Sequence, residues 1–281
     1  MKKTVIVILG QTATGKSAYA VKLALRLRSG SSTKNGGEII SADSRQVYKY
    51  LDIGTGKVTI KEMRGIPHHL LDVANPKRKF TVVQYKKLAE KKIEEIIARG
   101  HVPIICGGTG FYIEAVTKGI VLPDVKPNPK LRKQLARKSA IALFLALKKL
   151  DPIRAKNIDP KNKVRIIRAI EITKTLGKVP KVKKIKSKYN FEKIGLYLPA
   201  EILKQKIEKR VKKMFKDGLL KEIEELKKIG ISEKRLAELG FEYNNPTVES
   251  VISETIKYAK RQMTWFKRDP EIKWFNTNLL K

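Results

Sequence analysis

Val5 to Leu9 is an unbroken apolar run, mostly β-branched and stopped by Gly10, the pattern of a strand covered on both faces. From about Lys16 to Arg28 the apolar spacing changes: Ala20, Leu23, Ala24 and Leu27 fall on one helical face. A loop rich in Gly, Ser and Asn spans 30–37, and Glu38 to Asp43 predicts a short second strand ending in polar residues. Thr81 to Arg99 predicts a long helix with Thr81 as N-cap and Gly100 as its stop. Val102 to Cys106 is a third buried strand, ended by Gly107-Gly108. Strands separated by helices of this length imply parallel pairing through right-handed crossovers.

The middle of the chain changes character. Pro123, Pro127 and Pro129 punctuate a boundary, after which Leu131 to Leu150 predicts one helix, broken by Asp151-Pro152. A further helix is predicted over Lys163 to Leu176, ending at Gly177, and Lys181 to Lys188 is a basic link. Phe191 to Pro199 predicts a strand returning to the sheet. Helices are predicted over Glu201 to Lys216, Leu219 to Lys228 and Val248 to Lys267. The organisation is a core in two parts, 1–122 and 191–281, with a basic helical insertion over 123–190.

Composition agrees with a folded protein: 281 residues, 42% hydrophobic, can fill a core. No apolar run reaches the roughly 18 residues that a membrane span needs. The apolar start is short and runs into a Gly-rich loop, so it reads as a first strand and not as a signal peptide. A lone Cys106 excludes a disulfide framework and a cysteine-cluster zinc site. The expectation is a soluble, cytoplasmic protein.

Charge then points to a partner. There are 62 Lys and Arg against 27 Asp and Glu, a net of +35. From Lys126 to Lys188 the count is 21 against 3, so +18 of the excess lies in this one segment. A uniform lysine bias would not cluster so, and a polyanion-binding surface built from the insertion is the favoured reading.

Gly10-Gln11-Thr12-Ala13-Thr14-Gly15-Lys16-Ser17 fits G-x4-G-K-[ST] between a predicted strand and a predicted helix. In such a loop the glycines let backbone N–H groups converge on an anion, and the helix N-terminus adds its positive end. Gly10, Thr12, Ala13, Thr14, Gly15, Lys16 and Ser17 are therefore the candidate phosphate or diphosphate site, with the Ser17 hydroxyl suited to Mg²⁺. The expected fold class is α/β: a P-loop NTPase-like parallel sheet with an inserted small helical domain. Most such loops bind ATP in NTPases or small-molecule kinases. An acid for Mg²⁺ in such an enzyme would be Asp43, since the third strand ends in Gly107-Gly108-Thr109-Gly110.

Further segments make the resemblance specific. They are Ser41-Ala42-Asp43-Ser44-Arg45-Gln46-Val47-Tyr48, Asp52-Ile53-Gly54-Thr55-Gly56-Lys57 and Pro67-His68-His69-Leu70-Leu71-Asp72. They continue through Gly107 to Tyr112, the Arg165 to Glu171 helix, Arg210-Val211 with Met214 and Gly218-Leu219, and Lys260 to Arg268. In this order, from residue 5 to about 275, the chain resembles the tRNA dimethylallyltransferase family, also called tRNA isopentenyltransferases.

That resemblance implies transfer of a dimethylallyl group from dimethylallyl diphosphate to N6 of adenine-37 beside the tRNA anticodon, with Mg²⁺ and without need of ATP. It implies Asp43 as general base, Thr109 near the reaction centre and Arg210 as the diphosphate's basic partner. Asp43, Ser44, Arg45, Gln46 and Thr109 would meet the flipped adenine and its neighbours. Arg132, Lys163, Arg165 and Arg168 would face the anticodon stem-loop. A monomer is expected. Two alternatives stay open: an isopentenyltransferase acting on free adenine nucleotides, and a P-loop small-molecule kinase. His68 and His69 read as structural or tRNA-adjacent, not metal-binding, and Trp265 and Trp274 as core. One stretch departs from the family's Gly-Tyr-Lys/Arg-Glu: Gly240-Phe241-Glu242-Tyr243 reverses a charge and removes a hydroxyl.

Overall fold

A computed structural model describes residues 2–29, 36–181 and 183–279, so most of the expected 30–37 loop lies outside the described residues. The elements are β1 (Lys3–Gly10), α1 (Lys16–Ser29), β2 (Gly37–Ser41), α2 (Ile60–Met63), β3 (His68–His69), α3 (Val82–Ala98), β4 (Val102–Gly107) and α4 (Gly110–Thr117). Then come β5 (Ile120–Val121), α5 (Pro129–Ala136), α6 (Ala140–Leu150), α7 (Pro152–Lys156), α8 (Lys163–Leu176) and β6 (Lys183–Lys184). The chain ends with β7 (Tyr189–Tyr197), α9 (Ala200–Lys216), α10 (Leu219–Lys228), α11 (Glu233–Leu239), a 3-10 turn (Phe241–Tyr243), α12 (Val248–Phe266) and β8 (Lys273–Asn276).

Six strands form one sheet in the order β3-β2-β4-β1-β7-β8. Every pair in it is parallel. Alternation along β1 divides the core: Val5, Val7 and Leu9 pack with residues of α3, α4 and α10, whereas Ile8 packs with Ala20, Val21 and Ala24 of α1. On α3 the buried positions Tyr85, Ala89, Ile93 and Ile96 recur at helical spacing, and Tyr85 stacks on Tyr112 with ring centroids 4.1 Å apart. Thr81 caps α3 in a reciprocal capping box with Gln84, as its sequence position predicts. Trp265 and Trp274 both pack against this core. None of the described helices is long and apolar enough to cross a membrane.

The chain folds as two compact units, Met1–Gly119 with Lys186–Lys281, and Ile120–Ile185. The second unit has its own apolar centre, including Leu135, Leu143, Leu147, Ile166 and Ile170. It is closed by the antiparallel pair β5–β6. The single helix expected over 131–150 is two helices, because Ser139 caps a new start at α6. Beside that centre, Glu171 is 1% exposed and accepts from the Asn128 N–H, from Arg132 in bidentate fashion, and from Arg168. Burial alone would raise its carboxyl, but these bonds outweigh burial and hold it below the usual range. Glu171→Ala would leave two cations without their shared anion. Thermal unfolding should show a loss of about 2–3 kcal/mol, at the low end of the range for broken buried pairs because both arginines keep some solvent.

Candidate active site

The first unit gathers its polar side chains at the carboxyl ends of β1, β2 and β4. Gly10 is positive in φ (139°), and a Cβ there would lie 2.1 Å from the Leu196 carbonyl oxygen, so the tight entry to the phosphate loop requires glycine. Within the loop the Thr14 hydroxyl donates to the Gln11 carbonyl (2.8 Å), and Lys16 Nζ donates to the same carbonyl. Burial brings the Lys16 ammonium down to about 8, with Arg210 lowering it further and Cys106 and Asp43 opposing. Ser17 lies in the first turn of α1 and is exposed to solvent. Burial pushes the neighbouring Cys106 thiol up to about 12, so it remains neutral.

Asp43 lies just past β2. Its Oδ1 accepts from the N–H groups of Arg45 (2.8 Å) and Gln46 (3.3 Å), which makes it a turn aspartate with its second oxygen uncommitted to that turn. Thr109, just past β4, donates its N–H to the Ala42 carbonyl (3.1 Å). The Thr109 hydroxyl accepts from the Ser44 N–H (3.0 Å) and donates to the Ser44 hydroxyl (3.3 Å). A Cβ on Gly107 would sit 2.2 Å from the Ala42 oxygen, so the two loops can approach this closely only with glycine there. Gln46 donates to the carbonyls of Thr55 and Gly56, and Arg210 donates to Thr55 (3.1 Å). A Cβ on Gly56 would lie 2.1 Å from Arg210 Nη2. Asp43, Ser44, Arg45, Gln46, Thr109, Arg210 and the phosphate loop therefore belong to one site. Arg132, Lys163, Arg165 and Arg168 lie in the second unit. There Arg132 and Arg168 are committed to Glu171, Lys163 donates to the Ala136 carbonyl (2.6 Å), and Arg165 is exposed.

Four side chains here are not apparent from the sequence alone. Gln262 of α12 accepts from the Thr12 N–H (2.8 Å) and donates to the Gly108 carbonyl (2.9 Å). Tyr258, one turn earlier, shares a hydrogen bond with Thr109. Glu222 accepts from three consecutive N–H groups, Asp52, Ile53 and Gly54, and from the Tyr243 hydroxyl (2.8 Å). Glu242 carries a carboxyl that burial pushes up to about 7, with Arg45 and Arg210 lowering it and Asp43 raising it. The one signal within reach is position: Gln262 falls in the family-like Lys260 to Arg268 segment, and Glu242 in the departing stretch.

The donor set is made of hard oxygens. No cluster of three or more His, Cys, Asp or Glu suited to a metal exists among the described residues. A magnesium ion held by the Ser17 hydroxyl and mainly by phosphate oxygens fits that set, since Mg²⁺ rarely occupies an all-protein cage. His68 and His69 serve β3 instead. His69 Nε2 lies 2.6 Å from Glu38 Oε2, and Arg99 donates to both oxygens of this buried carboxylate.

A model of IPP transferases matches residues 46–269. The chain belongs to the IPP transferase family. It is similar to a tRNA dimethylallyltransferase of Carboxydothermus hydrogenoformans, 38% identical over 99% of this chain and 93% of that protein. Among solved structures, a tRNA isopentenylpyrophosphate transferase of Bacillus halodurans is 35% identical with a TM-score of 0.68, over 99% of this chain and 90% of that one. A eukaryotic dimethylallyltransferase acting on tRNA is 27% identical with a TM-score of 0.79, over 99% and 75%. Membership of this family, whose structures have a P-loop NTPase-like fold, accounts for the parallel sheet.

Glu242 has a stability consequence. Its carboxyl is raised from 4.5 to about 7 on folding, so its favourable contribution is complete below about pH 4.5 and is lost as pH rises through 7. Glu242→Gln removes that loss. Thermal unfolding should show little difference from wild type at pH 4.5 and a stabilised variant by pH 8, by up to about 3 kcal/mol at 1.36 kcal/mol per unit.

Proposed function

We propose that this IPP transferase is a tRNA dimethylallyltransferase that joins the dimethylallyl group of dimethylallyl diphosphate to N6 of adenine-37 in the tRNA anticodon loop. The observation that carries this reading is the pairing of an anion cradle with an acid: Gln262 ties the phosphate loop at Thr12 to the Gly108 carbonyl, and the adjoining Thr109 hydroxyl accepts from the Ser44 N–H beside Asp43. A kinase moves phosphate toward an acceptor. Here the better use of the cradle is to stabilise a diphosphate as it leaves carbon.

In the transfer, the C1–O bond of the donor breaks as the bond from C1 to N6 forms. Charge collects on the departing diphosphate, and the N–H groups of the phosphate loop, Lys16 and Arg210 are placed to meet it. Magnesium, with Ser17 as its protein ligand, would share that charge with the phosphate oxygens. Adenine's N6 is a weak nucleophile whose proton becomes acidic as the new bond forms, and Asp43 is the base that accepts it. Its two turn hydrogen bonds hold one carboxylate oxygen, which orients the other. Thr109, fixed by Ser44 and Tyr258, is the hydroxyl that aligns the diphosphate or the amine. The adenine must leave its stack to reach these groups, with Ser44, Arg45 and Gln46 as contacts for it.

The basic second unit supports tRNA over a free nucleotide as acceptor, because phosphate contacts from its lysines and from Arg165 would supply affinity that a mononucleotide cannot use. Arg132 and Arg168 contribute to that surface through Glu171, which holds them in place. We place the enzyme in the cytoplasm as a monomer.

The test is incubation of labelled dimethylallyl diphosphate and Mg²⁺ with tRNA and, separately, with AMP, ADP and ATP. Label should enter tRNA at adenine-37 and not the nucleotides, and transfer should fall at least about 100-fold in Asp43→Asn. Label in the nucleotides alone, or phosphoryl transfer without prenyl transfer, would sink the proposal.

A further inference from the structure

We infer that Glu222, braced by Tyr243, is a positioning residue of this reaction: it fixes the 52–56 turn whose Thr55 carbonyl holds the Arg210 guanidinium toward the diphosphate. The inference rests on the role given to Arg210 under Proposed function and names what aligns it.

The contacts form a closed circuit. Glu222 Oε2 accepts from the N–H groups of Asp52 (2.9 Å) and Ile53 (2.6 Å). Its Oε1 accepts from the Gly54 N–H (3.0 Å) and from the Tyr243 hydroxyl (2.8 Å). Both oxygens are therefore filled by donors, and three consecutive amides are tied to α10. The turn then closes on itself, with the Gly56 N–H on the Ile53 carbonyl (3.0 Å) and the Thr55 hydroxyl on the Leu51 carbonyl (2.6 Å). One peptide beyond the last amide held by Glu222, the Thr55 carbonyl accepts from Arg210 Nη2 (3.1 Å). That is the one hydrogen bond of the Arg210 guanidinium among the described residues, so the direction of the cation follows the turn. Gln46, also bonded to the Thr55 and Gly56 carbonyls, braces the turn from the side of Asp43.

Tyr243 locks the circuit from outside. Its ring lies so close to the turn that a Cβ on Gly54 would be 2.6 Å from it. Burial and the Glu222 carboxylate hold its hydroxyl well above the ordinary range, so it stays a neutral donor. Tyr243 belongs to the stretch that departs from the family pattern: a hydroxyl is lost at Phe241, and one is present two residues on, bonded to Glu222.

A carboxylate suits this place and an amide does not. Glutamine at 222 would turn one NH₂ group toward N–H or O–H donors, whichever way it lay, and at least two of the four bonds would be lost. The turn would loosen and Arg210 with it. As the C1–O bond breaks, charge grows on the diphosphate, so a misaligned Arg210 weakens the transition state more than the bound donor.

Steady-state prenyl transfer to tRNA tests this in two backgrounds, with thermal unfolding and circular dichroism giving the folded fraction of each variant. Glu222→Gln should lower kcat at least about tenfold and change the donor KM by less than about threefold. In an Arg210→Ala background the same substitution should lower kcat by less than about threefold further, because the side chain it aligns is gone. Tyr243→Phe removes one bond of the four and should cost about threefold, with the same dependence on Arg210. It decides the matter if Glu222→Gln does not fold. Wild-type kcat in folded Glu222→Gln overturns the inference, and so does a loss of equal size in both backgrounds, the result of a purely structural role. Either outcome leaves the proposed function standing, whereas a wild type that transfers no prenyl group to tRNA overturns both.

Discussion

One buried amide holds the site together. Gln262, 5% exposed, receives the Thr12 N–H with its oxygen and gives its N–H to the Gly108 carbonyl. It thereby ties the phosphate loop after β1 to the turn after β4. Gly108 has no side chain because a Cβ would lie 2.2 Å from Gln262 Nε2. The β4 turn in turn carries Thr109, whose N–H and hydroxyl reach the Ala42–Ser44 segment around Asp43. The distance between the anion cradle and the acid is therefore set by a chain of paired donors and acceptors, in a site where an unpaired one would be expensive.

A second support holds the cationic side. Glu222 gathers three N–H groups of the 52–54 turn, and the next carbonyls, of Thr55 and Gly56, hold Arg210 and Gln46. A carboxylate on α10 thus positions an arginine on α9 through a loop that follows β2. Donors fixed beforehand around a developing diphosphate cost no reorganisation at the moment of reaction. Glu242 is the opposite case, a carboxyl that lowers stability above neutral pH. A residue that breaks local electrostatic rules at an active site is what function, not folding, tends to retain.

Much of this was legible in the sequence, for physical reasons that differ by element. The run at β1, the cap and stop of α3 and the bounds of α8 follow from local chemistry, and the structure has them within a residue or two. The phosphate loop is a contiguous motif and needs no tertiary information. By contrast β3 has two residues and β8 four, too short for a period to register. The break at Ser139 was hidden because apolar spacing continues across it from Leu135 to Leu143. Gln262 acts on partners 250 and 154 residues away, so no local pattern announces it. The basic cluster showed a charged surface but not its wiring. That Arg132 and Arg168 share the buried Glu171 depends on how α5 and α8 pack.

The most direct test of the central constraint is the affinity of Gln262→Leu for dimethylallyl diphosphate. Leucine fills a similar volume but leaves the Thr12 N–H and the Gly108 carbonyl unpaired. The protein should still fold, with a stability loss of about 2 kcal/mol, and donor affinity should fall about tenfold or more as the phosphate loop loses its tie to the β4 turn. Unchanged affinity in a folded variant would contradict the claim that this amide sets the geometry of the site.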